Sequence, residues 1–167
     1  GADFLVSCTN TMHKVTPALE ARVGIPLLHI ADATAEAILG AGFRKVGLLG
    51  TRFTMEQAFY RSRLEDRHHL EVVVPPAADR EIVHRVIYQE LCLGKVLESS
   101  RREYRRIIAD LVAAGVQCVI LGCTEISLLV RPEDSTVPLF DTTELHARAA
   151  ALYALREGEA EARERMP

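Results

Sequence analysis

The fold is decided by two apolar segments of similar pattern, Arg44-Lys-Val-Gly-Leu-Leu49 and Gln117-Cys-Val-Ile-Leu121. Each follows a glycine, Gly42 or Gly115, that stands where a stretch of helical periodicity ends, and glycine often closes a helix in the left-handed conformation. Outward from these segments, short runs rich in valine, isoleucine and leucine alternate with longer amphipathic segments. This alternation is typical of βα units and predicts an α/β protein with a mainly parallel sheet.

The pattern predicts where the strands and helices lie. Strands are expected near residues 3–7, 26–29, 45–49, 70–74, 117–121 and 138–140. Helices are expected near residues 16–23, 32–41, 55–66, 79–92, 99–114 and 143–156. Thr54 and Ser100 each precede a Gln or Glu by three residues, which is the spacing of a capping box, so we expect them to begin helices. Residues 158–167 contain helix formers but hardly any apolar face, so we expect this tail to fray.

The composition limits the possible functions. A length of 167 residues lies within the ~100–200 residues of a typical domain, and 49% of the residues are hydrophobic. The formal net charge of −3 provides no basic field for phosphates, which argues against nucleic acid as a partner. No apolar run approaches the ~20 residues of a membrane span and no signal sequence begins the chain, so we expect no membrane contact and a cytoplasmic location. The four cysteines form no C-x-x-C pair, so neither a disulfide framework nor a metal site is predicted.

Two of the cysteines, Cys8 and Cys123, share a sequence context. Each ends a predicted strand, within Phe4-Leu-Val-Ser-Cys-Thr-Asn10 and Val119-Ile-Leu-Gly-Cys-Thr-Glu125. Ligands gather at the carboxyl ends of strands in open α/β sheets, and a following helix start can lower a thiol pKa from about 8.5 toward neutrality. Two such thiols on opposite faces of a substrate α-carbon can remove and return its proton, which is racemisation without pyridoxal.

A structural interpretation of these cysteines competes with the catalytic one, because free cysteine is among the most buried residue types. For a single cysteine at a strand end the structural interpretation is the stronger, and the matched contexts of Cys8 and Cys123 reverse that order. Cys92, on a predicted helix, and Cys118, within an apolar strand, lack this context. We therefore expect both to fill the core.

Three segments resemble the signature loops of the aspartate/glutamate racemase family, in that family's order: Cys8-Thr-Asn-Thr-Met-His13, Leu49-Gly-Thr-Arg-Phe-Thr-Met-Glu56 and Leu121-Gly-Cys-Thr-Glu-Ile126. The resemblance extends over residues 3–156. It implies an α/β fold of two similar subdomains, with mainly parallel sheets flanked by helices, that close over an amino acid. It also implies a homodimeric, cofactor-independent racemase of aspartate, glutamate or a broader set of amino acids.

By the same resemblance the catalytic residues are Cys8 and Cys123, and the substrate-binding residues are Thr9, Asn10, Thr11, Thr51 and Thr124. Asn10, Thr11 and Thr124 would hold the substrate's α-carboxylate and amino group, largely through the side-chain amide, the hydroxyls and backbone N–H groups. Thr9 would border the same pocket. Entry into a helix is an equally good interpretation of Thr51. No cofactor and no metal is expected, and the expected partner is a small-molecule amino-acid substrate.

A complete family member begins with a Gly-Gly type loop, helices and a strand before the first catalytic cysteine, so we expect this chain to lack an N-terminal portion. Residues 1–25 and 138–157 would then be the remainder of the first racemase subdomain, 26–137 the second subdomain and 158–167 the frayed tail. The absent portion would supply central strands and, in racemases of acidic amino acids, an arginine for the side-chain carboxylate. Cys92 stands at a helix position where some aspartate racemases have lysine, which favours a broader specificity.

Several alternatives stay open at this point. A superfamily relative with the same fold could be a decarboxylase or a cis–trans isomerase, although the presence of both cysteines argues against a one-thiol decarboxylase. A truncated homologue could bind a small acid without catalysis. His13, five residues after Cys8, could be the base of a Cys-His hydrolase, although spacing along the chain does not establish such a pair.

Overall fold

The computed structural model describes residues 1–164, and it describes the surroundings of side chains as far as residue 156. The strands are β1 (Leu5–Val6), β2 (Leu27–Leu28), β3 (Lys45–Gly50), β4 (Glu71–Val73), β5 (Cys118–Gly122) and β6 (Leu139–Asp141). The α-helices are α1 (Thr16–Glu20), α2 (Ile30–Gly40), α3 (Arg52–Glu56), α4 (Ala58–Ser62), α5 (Ala77–Gln89), α6 (Glu98–Ala113), α7 (Ile126–Leu129) and α8 (Thr142–Glu164). Short 3-10 segments lie at Thr11–Val15, Leu91–Leu93 and Pro132–Asp134, and a π-helical turn lies at Arg63–Arg67. Each of these strands falls where one was predicted.

Within the described residues the strands form two parallel sheets. The larger has the order β4-β3-β5-β6. Its central pair runs from Val46 opposite Cys118 to Gly50 opposite Gly122. Strands β1 and β2 form the smaller sheet. The prediction of an α/β fold with parallel sheets flanked by helices is confirmed.

The core is built on β3 and β5, which are buried along almost their whole length. Parallel strands that are covered on both faces carry continuous apolar runs, which is why these two segments were recognisable in the sequence. Helices α5 and α6 pack against β3, whereas α2 and α8 pack against β6. Helix α8 also packs along α2 and contacts β2. Helix α8 therefore connects the smaller sheet with the larger one.

Strand pairing differs from the expected subdomain division at both boundaries. Strand β2 falls in the range 26–137 assigned to the second subdomain, but it pairs with β1. Strand β6 falls in the range 138–157 assigned to the first, but it pairs with β5. The periodicity located each strand but carried no information on its neighbour, because sheet partners are chosen by long-range contacts. The division into two subdomains itself stays a prediction.

Two helix starts differ from the expected ones. Thr51, rather than Thr54, caps α3, because β3 continues to Gly50 and the chain enters the helix directly after it. The Thr51 hydroxyl accepts a hydrogen bond from the Thr54 backbone N–H at 3.4 Å. Helix α6 begins at Glu98, so Ser100 lies in its first turn and caps nothing. Capping-box spacing did not distinguish the residue before a helix from a residue within its first turn.

Two further helices, α8 and α7, also differ from the prediction. Helix α8 continues to Glu164, through most of the segment that was expected to fray, and residues 165–167 lie outside the described residues. Alanine, glutamate and arginine are good helix formers, which accounts for the continuation. Helix α7 was not predicted, because four residues are too short for a periodicity.

None of the helices in the described part of the chain combines the length and the apolar character that a membrane span requires.

Glycines allow the two central strands to approach closely at their carboxyl ends. A Cβ added to Gly50 would lie 2.9 Å from the Gly122 carbonyl oxygen, and one added to Gly122 would lie 2.8 Å from the Leu49 carbonyl oxygen. Both clashes are with backbone, which cannot turn aside as a side chain does. The close approach therefore sets the position of the residues that follow, Thr51 and Cys123.

We predict that Gly122→Ala lowers the free energy of unfolding by about 1–3 kcal/mol, the usual cost of overpacking a core. Gly24→Ala is the matched control, since a Cβ there meets nothing within 4 Å. Urea unfolding of both variants measures the difference. Equal stability of the two variants would contradict the close-approach argument.

Candidate active site

The two cysteines with matched contexts stand at strand ends. Cys8 is exposed and lies two residues after β1. Cys123 is half-buried and directly follows β5. The loops at the carboxyl ends of parallel strands are where ligands bind in open α/β folds. Both cysteines therefore follow strand ends, as the sequence predicted, and a ligand site at these positions stays a prediction.

A chain of hydrogen bonds joins the loop after β1 to the end of β5. The Asn10 side-chain amide donates to the Thr142 hydroxyl at 3.0 Å, and this hydroxyl donates to the Leu121 carbonyl at 3.0 Å. The hydroxyl proton of Thr142 is thereby used, so the amide nitrogen of Asn10 must face it. The other amide atom, Asn10 Oδ1, is buried and meets no donor among the described residues. It is a free hydrogen-bond acceptor.

A second link joins the loop after β1 to the end of β3. The hydroxyls of Thr11 and Thr51 lie 3.1 Å apart. Thr51 is buried, caps α3 and lies 3.2 Å from the Thr54 hydroxyl. The interpretation of Thr51 as a helix-entry residue is therefore observed, and the same hydroxyl also holds Thr11.

The two cysteine loops meet at a cavity of about 90 Å³. Cys8 lines it from one side and Thr124, the neighbour of Cys123, lines it as well. Ile30 and His146 form part of its wall. Cys8 and Thr124 thus line the same cavity. The pairing of Cys8 with Cys123 across a substrate stays a prediction.

Glu125 is the site residue that the sequence reasoning missed. The Cys123 thiol donates to Glu125 Oε2 at 2.9 Å, and the Thr124 hydroxyl donates to the same oxygen at 2.7 Å. Glu125 directly precedes α7, but its side chain makes no hydrogen bond that caps this helix. The Cys-Thr-Glu spacing places the carboxylate two residues from the thiol, but it does not show whether the two side chains point toward each other.

The expectation of a lowered thiol pKa is wrong for Cys123. Burial, followed by the hydrogen bond to the Glu125 carboxylate, raises the pKa of this thiol well above its ordinary value. The helix that follows, α7, has only four residues and provides little compensating dipole. Burial acts to raise the pKa of Glu125, but the hydrogen bonds from Cys123 and Thr124 lower it overall. The pair is therefore a thiol beside a carboxylate.

The other two cysteines, Cys92 and Cys118, were both expected to be buried in the core, but only one of them is. Cys118 is fully buried within β5, so its interpretation as a core residue is confirmed. Cys92 is exposed, so the same interpretation is wrong for it. It lies beyond the end of α5, in a short 3-10 turn that packs against α7. Because α7 follows the Cys123 loop, this contact places the turn near that loop. Partial burial, and then the negative charge of Glu125, raise the pKa of Cys92.

Three histidines form a buried cluster behind the Cys8 loop. The ring centroid of His13 lies 4.3 Å from that of His29 and 5.9 Å from that of His146. His29 caps α2, because its Nδ1 accepts a hydrogen bond from the Ala31 backbone N–H at 3.2 Å. Burial, and then the charges of His13 and Arg63, lower the pKa of His29 to about 3. Burial likewise lowers the pKa of His13.

The lowered pKa values make stability depend on pH. In the unfolded chain His29 binds a proton below its ordinary pKa of about 6.5. In the folded chain it binds this proton only as the pH approaches about 3. This contribution to stability is complete above pH 6.5 and is lost as the pH falls through that range. We therefore predict that the free energy of unfolding falls between pH 6.5 and pH 4, and that His29→Asn reduces this slope.

Urea unfolding at a series of pH values tests the prediction. Asparagine does not titrate and is among the best residues at a helix N-cap, so the variant keeps the cap while removing the proton site. His69→Asn is the matched control, because His69 is exposed and its φ of 55° is one that asparagine tolerates. An unchanged slope in His29→Asn would contradict the assignment.

The chain matches known proteins along most of its length. The model of the Asp/Glu/hydantoin racemase family matches residues 1–150. The glutamate racemase of Persephonella marina is 25% identical over 151 residues, which are 90% of this chain and 56% of that enzyme. The chain therefore spans about half the length of this curated relative.

Two solved structures resemble the fold closely. A candidate Asp/Glu racemase from Yersinia pestis has a TM-score of 0.90 at 61% identity and covers 93% of this chain and 67% of its own. An aspartate racemase homologue from Pyrococcus horikoshii has a TM-score of 0.82 at 40% identity and covers 92% of this chain and 67% of its own. The resemblance carried by the three signature loops is thereby confirmed, and the chain belongs to the Asp/Glu/hydantoin racemase family.

Proposed function

We propose that this protein racemises an amino acid, aspartate, glutamate or a broader set, by proton transfer between the thiols of Cys8 and Cys123. The observation that carries the proposal is the cavity that Cys8 shares with Thr124, the residue next to Cys123. Membership of the racemase family supports the reaction class. The proposal includes a cytoplasmic homodimer, with no cofactor and no metal.

The surroundings of the two thiols support distinct starting roles. Burial and the Glu125 carboxylate keep Cys123 in its protonated form, so it begins as the acid. Cys8 begins as the base, and as a thiolate it takes the α-proton from one face of the substrate. The electron pair left on the α-carbon is delocalised into the carboxylate, and the Cys123 thiol returns a proton to the opposite face. The enzyme then holds a Cys8 thiol and a Cys123 thiolate, ready for the other enantiomer.

The polar side chains support a division of labour toward the substrate. Asn10 Oδ1 accepts hydrogen bonds but donates none, so it suits the substrate's ammonium group rather than its carboxylate. The hydroxyls of Thr11 and Thr124 are donors suited to the α-carboxylate, where negative charge increases in the transition state. Thr9, which is exposed beside Cys8, borders the same region. These substrate roles remain part of the proposal.

The first test is the exchange of the substrate α-proton in deuterated buffer, followed by proton NMR with each enantiomer of aspartate and glutamate. Cys8→Ser and Cys123→Ser should each abolish racemisation, with losses of about 10²-fold or more, which is the usual contribution of a general acid or base. Each variant should retain exchange only of the enantiomer that the remaining thiol deprotonates. Cys92→Ser is the matched control and should leave exchange in place.

Two outcomes would overturn the proposal. Unchanged exchange in both variants would exclude the two-thiol mechanism. Release of carbon dioxide without exchange of the α-proton would identify a decarboxylase instead.

A separate prediction concerns Glu125. Glu125→Gln keeps a hydrogen-bond acceptor for Cys123 but removes the negative charge that disfavours its thiolate, so the pKa of Cys123 should fall. Alkylation by iodoacetamide, which reacts with thiolates, should therefore become faster at Cys123, as measured by peptide mass spectrometry. Glu133→Gln is the control, since Glu133 is exposed and its carboxylate approaches Arg131. Slower or unchanged alkylation of Cys123 in Glu125→Gln would contradict the charge argument.

A further inference from the structure

Backbone partners determine the protonation of the buried histidines. His13 Nδ1 lies 2.7 Å from the Thr9 carbonyl oxygen, and a carbonyl can only accept, so Nδ1 carries the hydrogen. His13 Nε2 lies 3.2 Å from the Ile30 backbone nitrogen, which can only donate, so Nε2 is the bare acceptor. The ring of His13 is therefore neutral and in a single tautomer. A proton added to Nε2 would displace the Ile30 N–H.

The neighbours of His13 hold it in this arrangement. The Thr16 hydroxyl donates to the His13 carbonyl at 2.9 Å, which fixes the backbone of the residue itself. The His29 and His146 rings pack edge-on against the His13 ring. His146 Nε2 lies 2.8 Å from the Leu28 carbonyl, so its hydrogen also points at backbone. The His13 ring is 1% exposed and has no freedom to turn toward a substrate.

The two bonds of the His13 ring connect the cysteine loop to a rigid element. Thr9 is the residue directly after Cys8, and Ile30 is the first residue of α2. Ile30 also lines the cavity that Cys8 lines. The ring thus sets the distance between the Cys8 backbone and the wall of its own cavity. Because both ring nitrogens are occupied, His13 does not take a proton from Cys8, which argues against a Cys-His hydrolase.

We propose that His13 is a positioning residue for Cys8: its neutral Nδ1–H tautomer holds the Thr9 carbonyl and so sets where the Cys8 thiol stands in the cavity. The kinetic consequence rests on the proposed racemisation, whereas the geometry does not. Misplacement of a reacting group by about 1 Å can cost about 10²-fold in rate. Loss of the Thr9 bond should therefore slow proton removal by Cys8 more than proton removal by Cys123.

Two variants separate the bonds of the ring. In His13→Asn the amide nitrogen can stand where Nδ1 stood and donate to the Thr9 carbonyl. In His13→Gln the longer side chain can place its oxygen where Nε2 stood and accept from the Ile30 N–H, which leaves the Thr9 carbonyl without its donor. Both variants remove the imidazole, so a merely structural role predicts similar losses in both.

The expected result is a selective loss in His13→Gln. Exchange of the enantiomer that Cys8→Ser no longer exchanges should fall by about tenfold or more relative to the other enantiomer, a fraction of the loss that mispositioning can cause. His13→Asn should keep the parent ratio between the two enantiomers. Equal losses for both enantiomers, or the same ratio in both variants, would overturn the proposal.

Two further measurements do not depend on racemisation. The rate at which iodoacetamide alkylates Cys8, relative to the exposed Cys92 in the same molecule, should change in His13→Gln and not in His13→Asn. Nitrogen-15 NMR of the unmutated chain should show His13 with hydrogen on Nδ1 only, and this readout stands even if a variant fails to fold. Hydrogen on Nε2 would overturn the inference. Absence of α-proton exchange in the parent, with the expected tautomer and alkylation pattern, would instead overturn the proposed function alone.

Discussion

The hydroxyl of Thr142 is the contact on which the geometry of the site depends. It is fully buried, donates to the carbonyl at the end of β5 and accepts from the side chain of Asn10 in the loop after β1. Because a hydroxyl has one hydrogen, its bond to Leu121 determines which end of the Asn10 amide faces it. Removing this hydroxyl would take away the partner of the buried Asn10 amide nitrogen, at a cost of about 1–3 kcal/mol. One side chain thus joins the two sheets and orients the acceptor proposed for the substrate.

The two cysteines have similar sequence contexts but different physical surroundings. Cys8 is exposed, and its position depends on backbone contacts that His13 holds. Cys123 is half-buried and donates to a carboxylate, so its protonated form is favoured. Racemisation does not require two identical bases. It requires only that one thiol is protonated while the other is a thiolate. The structure therefore supports different means of control at the two positions.

Local patterns predicted the strands well and the contacts between them poorly. The apolar run through Val119 identified β5, because a strand that is covered on both faces needs apolar residues at nearly every position. The partner of Leu27 and the exposure of Cys92 depend on contacts between distant segments, and no local pattern records these. Thr51 was recognised as a candidate with two interpretations, and its observed bonds serve the helix start and the adjacent loop together. Glu125 was missed as a partner of the thiol because spacing along the chain does not reveal where a carboxylate points.

The charge beside Cys123 also bears on how substrate binding and chemistry are linked in the proposed reaction. In the free protein the Glu125 carboxylate opposes a thiolate at Cys123, which favours the protonated thiol. An amino acid brings an ammonium group, and Asn10 Oδ1 is an acceptor for such a group. A positive charge bound close to a thiol favours its thiolate form, and this attraction becomes stronger where water is excluded. The substrate would therefore supply the charge that allows Cys123 to act as a base, and the base would become available only when there is a proton to remove.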